Sequence, residues 1–363
     1  MSRLFSVPLL LVLALSSAAA RAEVDLLTSI KPLQLIAAAV QDGVGTPAVL
    51  LPAGASAHQY SLRPSDVQHV READLFYWIG PDMESFLAPV LEGRRGPQLA
   101  LQSLDGLQLR HFGDEHAEHD EHEDEHAEQG NDHGDHGHDA HEAESPAEHD
   151  HAHRPGSLDA HLWLLPDNAR LIAKRMAADL AEADPANAER YQANLAAFGD
   201  RLDALDQRLR ERLAKVGDKP FFVFHEAYDY FESAYGLRHA GVFSAGGEAQ
   251  PGARHVAAMR QRLQQAGPSC VFYEPPQAPK LAANLSRGLP VRLVALDPMG
   301  GDLTADAHGY EQLLEQLGDA LAGCLEALCA GRAAASAQYA ARRIAHSAGF
   351  TRPTNLEALY NGL

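Results

Sequence analysis

Short apolar runs alternate with helix-like stretches in two separate series along this chain, and that pattern restricts the fold more than any other feature. In the first series "VDLLTSI" precedes "PLQLIAAAVQD", then "TPAVLLP" and "DLFYWIG" follow, the latter trailed by "PDMESFLAPVLEG". In the second, "FFVF" leads into "EAYDYFESAYG", "GVF" into "PGARHVAAMRQRLQQAG", "CVFYE" into "KLAANLSRG", and "VRLVALD" into "GYEQLLEQLGDALAGCL". Strand followed by helix, repeated, demands crossover connections and hence a mainly parallel sheet with helices on its faces. Between the series, from Pro166 to about Val216, there is no strand signal. There Tyr191, Leu195, Phe198, Leu202, Leu205, Leu209 and Leu213 recur at three- and four-residue steps, the spacing of one buried stripe on a long amphipathic helix. The expected fold is therefore α/β: two lobes, each with a mainly parallel sheet flanked by helices, joined by a long interlobe helix.

One stretch cannot belong to either lobe. Residues 111–154 hold twelve of the 20 histidines, sixteen acidic residues and a single basic one. Of the formal charge of −20, −15 lies in this run and only −5 in the rest of the chain. Such a segment buries too little apolar area to offset the entropy lost on ordering, so it is expected to be solvated and disordered. Its imidazoles beside carboxylates are good ligands for borderline divalent cations such as zinc, copper or nickel. The remainder has an ordinary surface charge, and no basic patch suggests a nucleic-acid partner.

The N-terminus reads as an export signal. Arg3 supplies a positive n-region, Leu4 to Leu15 an apolar h-region, and Ala20-Arg21-Ala22 an A-x-A cleavage site before Glu23. The apolar run falls short of the roughly twenty residues that span a bilayer, and no second hydrophobic span follows. With no cysteine at the cleavage point for a lipid anchor, a soluble periplasmic protein is expected. The divisions are then a signal peptide over 1–22, an N-terminal lobe over 23–165 containing the 111–154 loop, linker helices over 166–218, a C-terminal lobe over 219–329 and an extension over 330–363. In an oxidising compartment two of Cys270, Cys324 and Cys329 would pair, and the residues alone leave the partner of Cys270 open between the other two.

Ligands of α/β sheets bind outside the carboxyl ends of strands, which directs attention to the residues that follow them. His58 lies in the turn-rich "PAGASAHQYSLRPSDV", shortly after a strand, and His161 lies in "LDAHLWLLPDN", where the His-rich run ends. His225 ends the strand "FFVFH", and Asp297 ends "VRLVALDP". Three imidazoles and a carboxylate make a set able to bind Zn²⁺ tetrahedrally. A zinc hydrolase is the competing reading, with Glu226 beside His225 as a base. The stretch His225-Glu226-Ala227-Tyr228-Asp229 lacks the second histidine of H-E-x-x-H, however. A metal buffer consisting of the loop alone would leave the strand-end residues unexplained.

The segments "GASAHQYSLRPSDV", "DAHLWLLP", "VFHEAYDYFE", "QPGA", "YEPPQ" and "LDPMG", in this order and with a charged His-rich insertion between the first two, resemble the periplasmic solute-binding proteins of Znu-type high-affinity zinc importers. The resemblance covers Glu23 to about Glu326. It implies a protein that is not an enzyme, that takes Zn²⁺ as transported ligand and that passes it to an ATP-binding-cassette permease in the inner membrane without itself spanning that membrane. It further implies His58, His161 and His225 as metal ligands, Asp297 as a carboxylate at or near the metal, and a disulfide between Cys270 and Cys324 with Cys329 left over. Manganese-binding relatives tend to carry Glu where His225 stands, so the nitrogen-rich set favours zinc. Some zinc-binding relatives have Glu immediately before the first ligand histidine. Ala57 stands there in this chain, which shifts the fourth position to Asp297 or a water. An accessory loop that gathers or senses zinc would use His116, His119, His122, His126, His133, His136, His138, His141, His149, His151 and His153. Residues 330–363 have no counterpart in the resemblance.

Overall fold

A computed structural model describes residues 23–113, 156–244, 252–275 and 280–347, the side chains of 329–347 excepted. The eleven loop histidines from His116 to His153, the leader 1–22 and the Cys329 side chain lie outside the described residues.

The first sheet is built from β1 (Leu26–Thr28), β2 (Ala48–Val49), β3 (Leu75–Trp78) and β4 (Gln98–Ala100), in the order β2-β1-β3-β4 and parallel throughout. Helices α1 (Lys31–Val40), α2 (Pro64–Glu72) and α3 (Ala88–Leu91) make its crossovers. All four residues of β3 are buried, as a central parallel strand requires. Two elements here were not expected. The α2 helix lies in the stretch read as turn-rich; it buries only Val70 and so leaves almost no apolar stripe in the sequence. The edge strand β4 has no fully buried residue.

A short antiparallel pair, β5 (Arg110–His111) with β6 (Leu158–Asp159), brackets the His-rich run. Then come α4 (Pro166–Ala183) and α5 (Ala188–Leu213). The expected stripe is present on α5: Tyr191, Phe198, Leu202, Leu205, Leu209 and Leu213 are buried and Leu195 is partly so. This helix touches both halves. Asn194 donates to the carbonyls of Val40 (2.9 Å) and Asp42 (2.8 Å), while Arg201 pairs with Glu311 at 2.6 Å.

The second sheet, β7 (Phe221–His225), β8 (Val242–Ser244), β9 (Ser269–Tyr273) and β10 (Val291–Ala295), runs β10-β9-β7-β8, again all parallel. Around it lie α6 (Asp229–Tyr235), α7 (Ala253–Ala266), α8 (Lys280–Ser286) and α9 (Gly309–Ser347). The α9 helix runs past 329, through the point where the extension was expected to begin. Cys270 of β9 is disulfide-bonded to Cys324 of α9, 54 residues apart in sequence. Both sheets reverse strand order beside their first strand, between β1 and β3 and between β7 and β9, where the carboxyl ends open a crevice. No helix among the described residues is long and apolar enough to cross a membrane.

Candidate metal centre

His58, His161 and His225 come from three separate segments, and each offers a nitrogen within 4.8 Å of those of the other two. Their ring centroids are 5.5 Å (His58 to His161), 5.6 Å (His58 to His225) and 5.2 Å (His161 to His225) apart, all edge to face. The first is carried by the loop after β2, where the Ser56 hydroxyl accepts from the His58 and Gln59 amides at 3.3 and 3.2 Å. The second follows β6 at the start of a single 3₁₀ turn, Leu162–Leu164, and is buried. The third is the last residue of β7.

Two of the rings are aimed by carboxylates. Asp159 Oδ1 lies 2.7 Å from His161 Nδ1 and also accepts the His161 amide at 3.0 Å, so one oxygen fixes both backbone and ring. Glu274, one residue beyond β9, holds His225 Nδ1 at 2.8 Å. An imidazole that donates from Nδ1 carries its lone pair on Nε2, the nitrogen a metal takes. Both carboxylates sit at positions the strand-end rule covers, but nothing in a sequence tells a carboxylate that orients a ring from one that faces water.

Burial and mutual repulsion disfavour a proton on two of the rings, and carboxylates act the other way on the third. Burial, with His161 and His225 adding to it, holds His58 well below the ordinary histidine value, and burial with His225 brings His161 down to about 3. For His225 burial again works against the charge, but Glu274 and Asp159 outweigh it and the ring lies above its ordinary value. Burial lifts Asp159 to about 7. Burial opposes ionisation of Glu274 too, yet the adjacent His225 keeps that carboxyl below the usual range. Three imidazoles with ring centroids 5.2–5.6 Å apart, two of them braced by carboxylates, form a nitrogen-rich pocket for a borderline divalent ion.

The fourth expected residue is held differently. Asp297 follows β10 by two residues, and its oxygens accept the amides of Met299 (2.9 Å) and Gly301 (2.8 Å). At this centre the donor group that converges within 4.8 Å consists of the three histidines, without Asp297. Trp163 ties the two halves together, its Nε1 donating to the Pro298 carbonyl of the loop after β10 at 2.9 Å and its own carbonyl accepting from Tyr310 of α9 at 2.6 Å, while within the second half Tyr228 donates to the Leu296 carbonyl at 2.7 Å.

A family model described as ZnuA, the periplasmic component A of the zinc-uptake complex, matches residues 26–324. The chain belongs to this family. A relative from Brucella abortus (strain 2308), "High-affinity zinc uptake system protein ZnuA", is 41% identical over 301 residues, covering 82% of this chain and 90% of the relative. A protein of the same name from Paracoccus denitrificans is 41% identical over 326 residues, covering 88% and 98%. Among solved structures, one titled "Crystal structure of ZnuA" superposes with a TM-score of 0.63 at 22% identity, covering 83% of this chain and 98% of that one, which is a likeness of fold. The family is described as periplasmic, and its members are named for zinc uptake, a transport role.

Proposed function

We propose that this protein captures Zn²⁺ in the cleft between its two lobes, bounded at 23–165 and 219–329, and delivers it to an ATP-binding-cassette permease. His58, His161 and His225 are the protein ligands, and Asp297 or a water fills the fourth position. The observation that carries the reading is the convergence of three imidazoles from distant segments, two of them oriented through Nδ1 by Asp159 and Glu274. Three rigid nitrogen donors bind with little ordering cost. The leader 1–22 is removed on export, and the chain turns over no substrate.

The His-rich run over 111–154 serves as an accessory that gathers zinc. Its ligands are many and interchangeable, so each ion it takes must order chain and is held weakly. Its excess negative charge raises the local cation concentration over roughly 8–10 Å at physiological salt.

The test is a chelator-competition titration with zinc. His161→Ala should abolish the tightest binding step, while His133→Ala leaves it in place; equal losses from the two would refute the cleft site. Asp297→Asn assigns the fourth position: a loss comparable with that of His161→Ala gives it to the carboxylate, and a small one to water. For the loop, uptake by cells carrying a chain without 116–153 should fall when zinc is scarce or a chelator competes. Undiminished uptake there would reduce the run to a linker.

A further inference from the structure

A second convergence of metal-type donors lies on α6 and in the turn that follows it. Asp229 and Glu232 are one helical turn apart and share a face. Gly236, left-handed at φ 65°, then reverses the chain, and the Glu232 carboxylate accepts the amide of His239 at 2.9 Å. The reversal puts His239 Nδ1 3.0 Å from each Glu232 oxygen and 3.7 Å from Asp229 Oδ1. All three residues offer donor atoms within 4.8 Å of one another, and Glu232 and His239 are buried.

We propose that Asp229, Glu232 and His239 form a second site for a divalent cation of the zinc type, separate from the three-histidine centre and sharing no ligand with it. Bonds of about 2.0–2.1 Å in a tetrahedron set ligand atoms roughly 3.3–3.4 Å apart. The His239–Glu232 and His239–Asp229 separations of 3.0 and 3.7 Å bracket that edge and the Asp229 and Glu232 donors lie within 4.8 Å of one another, so an ion that replaces the shared proton would draw the three together. Charge points the same way. Two carboxylates with a neutral imidazole exactly balance a dication, whereas a proton on His239 leaves the buried set one negative charge in excess. Asp229 is pushed up to about 7 by burial together with Glu232, Asp159 and Glu226, a surplus of carboxylates that His239 only partly offsets. The Asp229 side chain is 20% exposed, which gives an ion a way in from solvent. The site adjoins the foot of the His-rich run. Arg110 of β5 donates through its amide to Tyr230 (2.9 Å) and through its guanidinium to Ser233 (3.0 Å), and Tyr230 donates to the Asp159 carbonyl of β6 (2.9 Å). In the metal-free chain His239 is lifted to about 9, burial being outweighed by Glu232 and Asp229. Zinc must displace that proton on binding.

The experiment is equilibrium dialysis of the full chain against micromolar free zinc, comparing wild type with Asp229→Asn, His239→Gln and His161→Ala. Because the His-rich run is common to all of these proteins, the double variant included, differences in zinc content report the fixed sites. Asp229→Asn and His239→Gln should each hold one zinc fewer than wild type, and His161→Ala combined with His239→Gln two fewer. Wild-type zinc content in both Asp229→Asn and His239→Gln would overturn the proposal. A full zinc complement in His161→Ala alone would instead overturn the cleft reading and leave this one standing. Should the variants misfold, the imidazole ¹⁵N resonances of the wild-type chain decide: His239 should move from the protonated to the metal-bound position as zinc is added. A resonance that stays protonated at saturating zinc identifies an ion pair and nothing more.

Discussion

An imidazole coordinates through one nitrogen at a time, so whatever holds the other nitrogen decides how well the ring is aimed. Asp159 does this for His161 at 2.7 Å and Glu274 does it for His225 at 2.8 Å. Removing either charge should therefore weaken zinc without changing the number of ions bound. Asp159→Asn and Glu274→Gln are each expected to lower cleft affinity by about 10- to 100-fold, the usual effect of losing such an orienting partner. A chelator-competition titration with unchanged constants would show the two carboxylates to be bystanders. That the three histidines could meet was readable in the sequence from strand ends and from the family resemblance: His161 and His225 stand at or just after short strands, while His58 lies further out in the loop that follows β2. Their orienting partners were not legible. Asp159 precedes His161 by two residues and Glu274 ends the run "CVFYE", but only packing reveals that each points at a ring. The Asp229–Glu232–His239 cluster was hidden for the same reason, since it depends on a reversal at Gly236.

At the level of elements, what the sequence disclosed depended on how completely each element is buried. The fully buried strands β1 and β3 and the striped helix α5 were readable from apolar runs and three-to-four spacing. The half-exposed β4 and the thinly packed α2 gave no such signal. The cysteine pairing came from the family resemblance, for the residues alone admitted two partners for Cys270. In the structure the bond joins β9 to α9 and so ties the helix that closes the second lobe to a central strand. A cross-link between residues 54 apart restricts the unfolded chain over a long loop. Replacing both cysteines, Cys270→Ser with Cys324→Ser, should cost about 2–4 kcal/mol. Denaturant midpoints of the zinc-free chain measure it, and an unmoved midpoint would deny the bond a stabilising role. Zinc stoichiometry should be unchanged, because neither cysteine belongs to a donor group.

Across the whole molecule, the hydrogen bonds from Trp163 to the Pro298 carbonyl and from Tyr310 to the Trp163 carbonyl cross between the halves and hold the two sheets in fixed relation, which is what lets ligands from three segments meet before metal arrives. The carboxyl ends of the first sheet carry another buried acid that the sites do not use. Glu84 is fully buried, accepts the Gly80 amide at 3.0 Å, and is raised to about 7 because burial outweighs its hydrogen bonds. A carboxyl whose folded value lies above its unfolded value of 4.5 binds its proton more tightly in the native state. Its contribution to stability is therefore fully present below pH 4.5 and is lost as pH rises through about 7. The shift corresponds to about 3 kcal/mol across that window, to order of magnitude. Glu84→Gln removes this titration while Asp159, Asp229 and His239 remain in both proteins and cancel in the comparison. Urea midpoints of zinc-free wild type and variant, taken at pH 5 and pH 8, should thus draw apart in the variant's favour as pH rises. The variant loses the proton-linked advantage that the wild type enjoys in acid and avoids the buried charge that the wild type carries at pH 8. A stability difference that is the same at both pH values would mean that Glu84 ionises at its ordinary pH and that its burial costs the fold nothing.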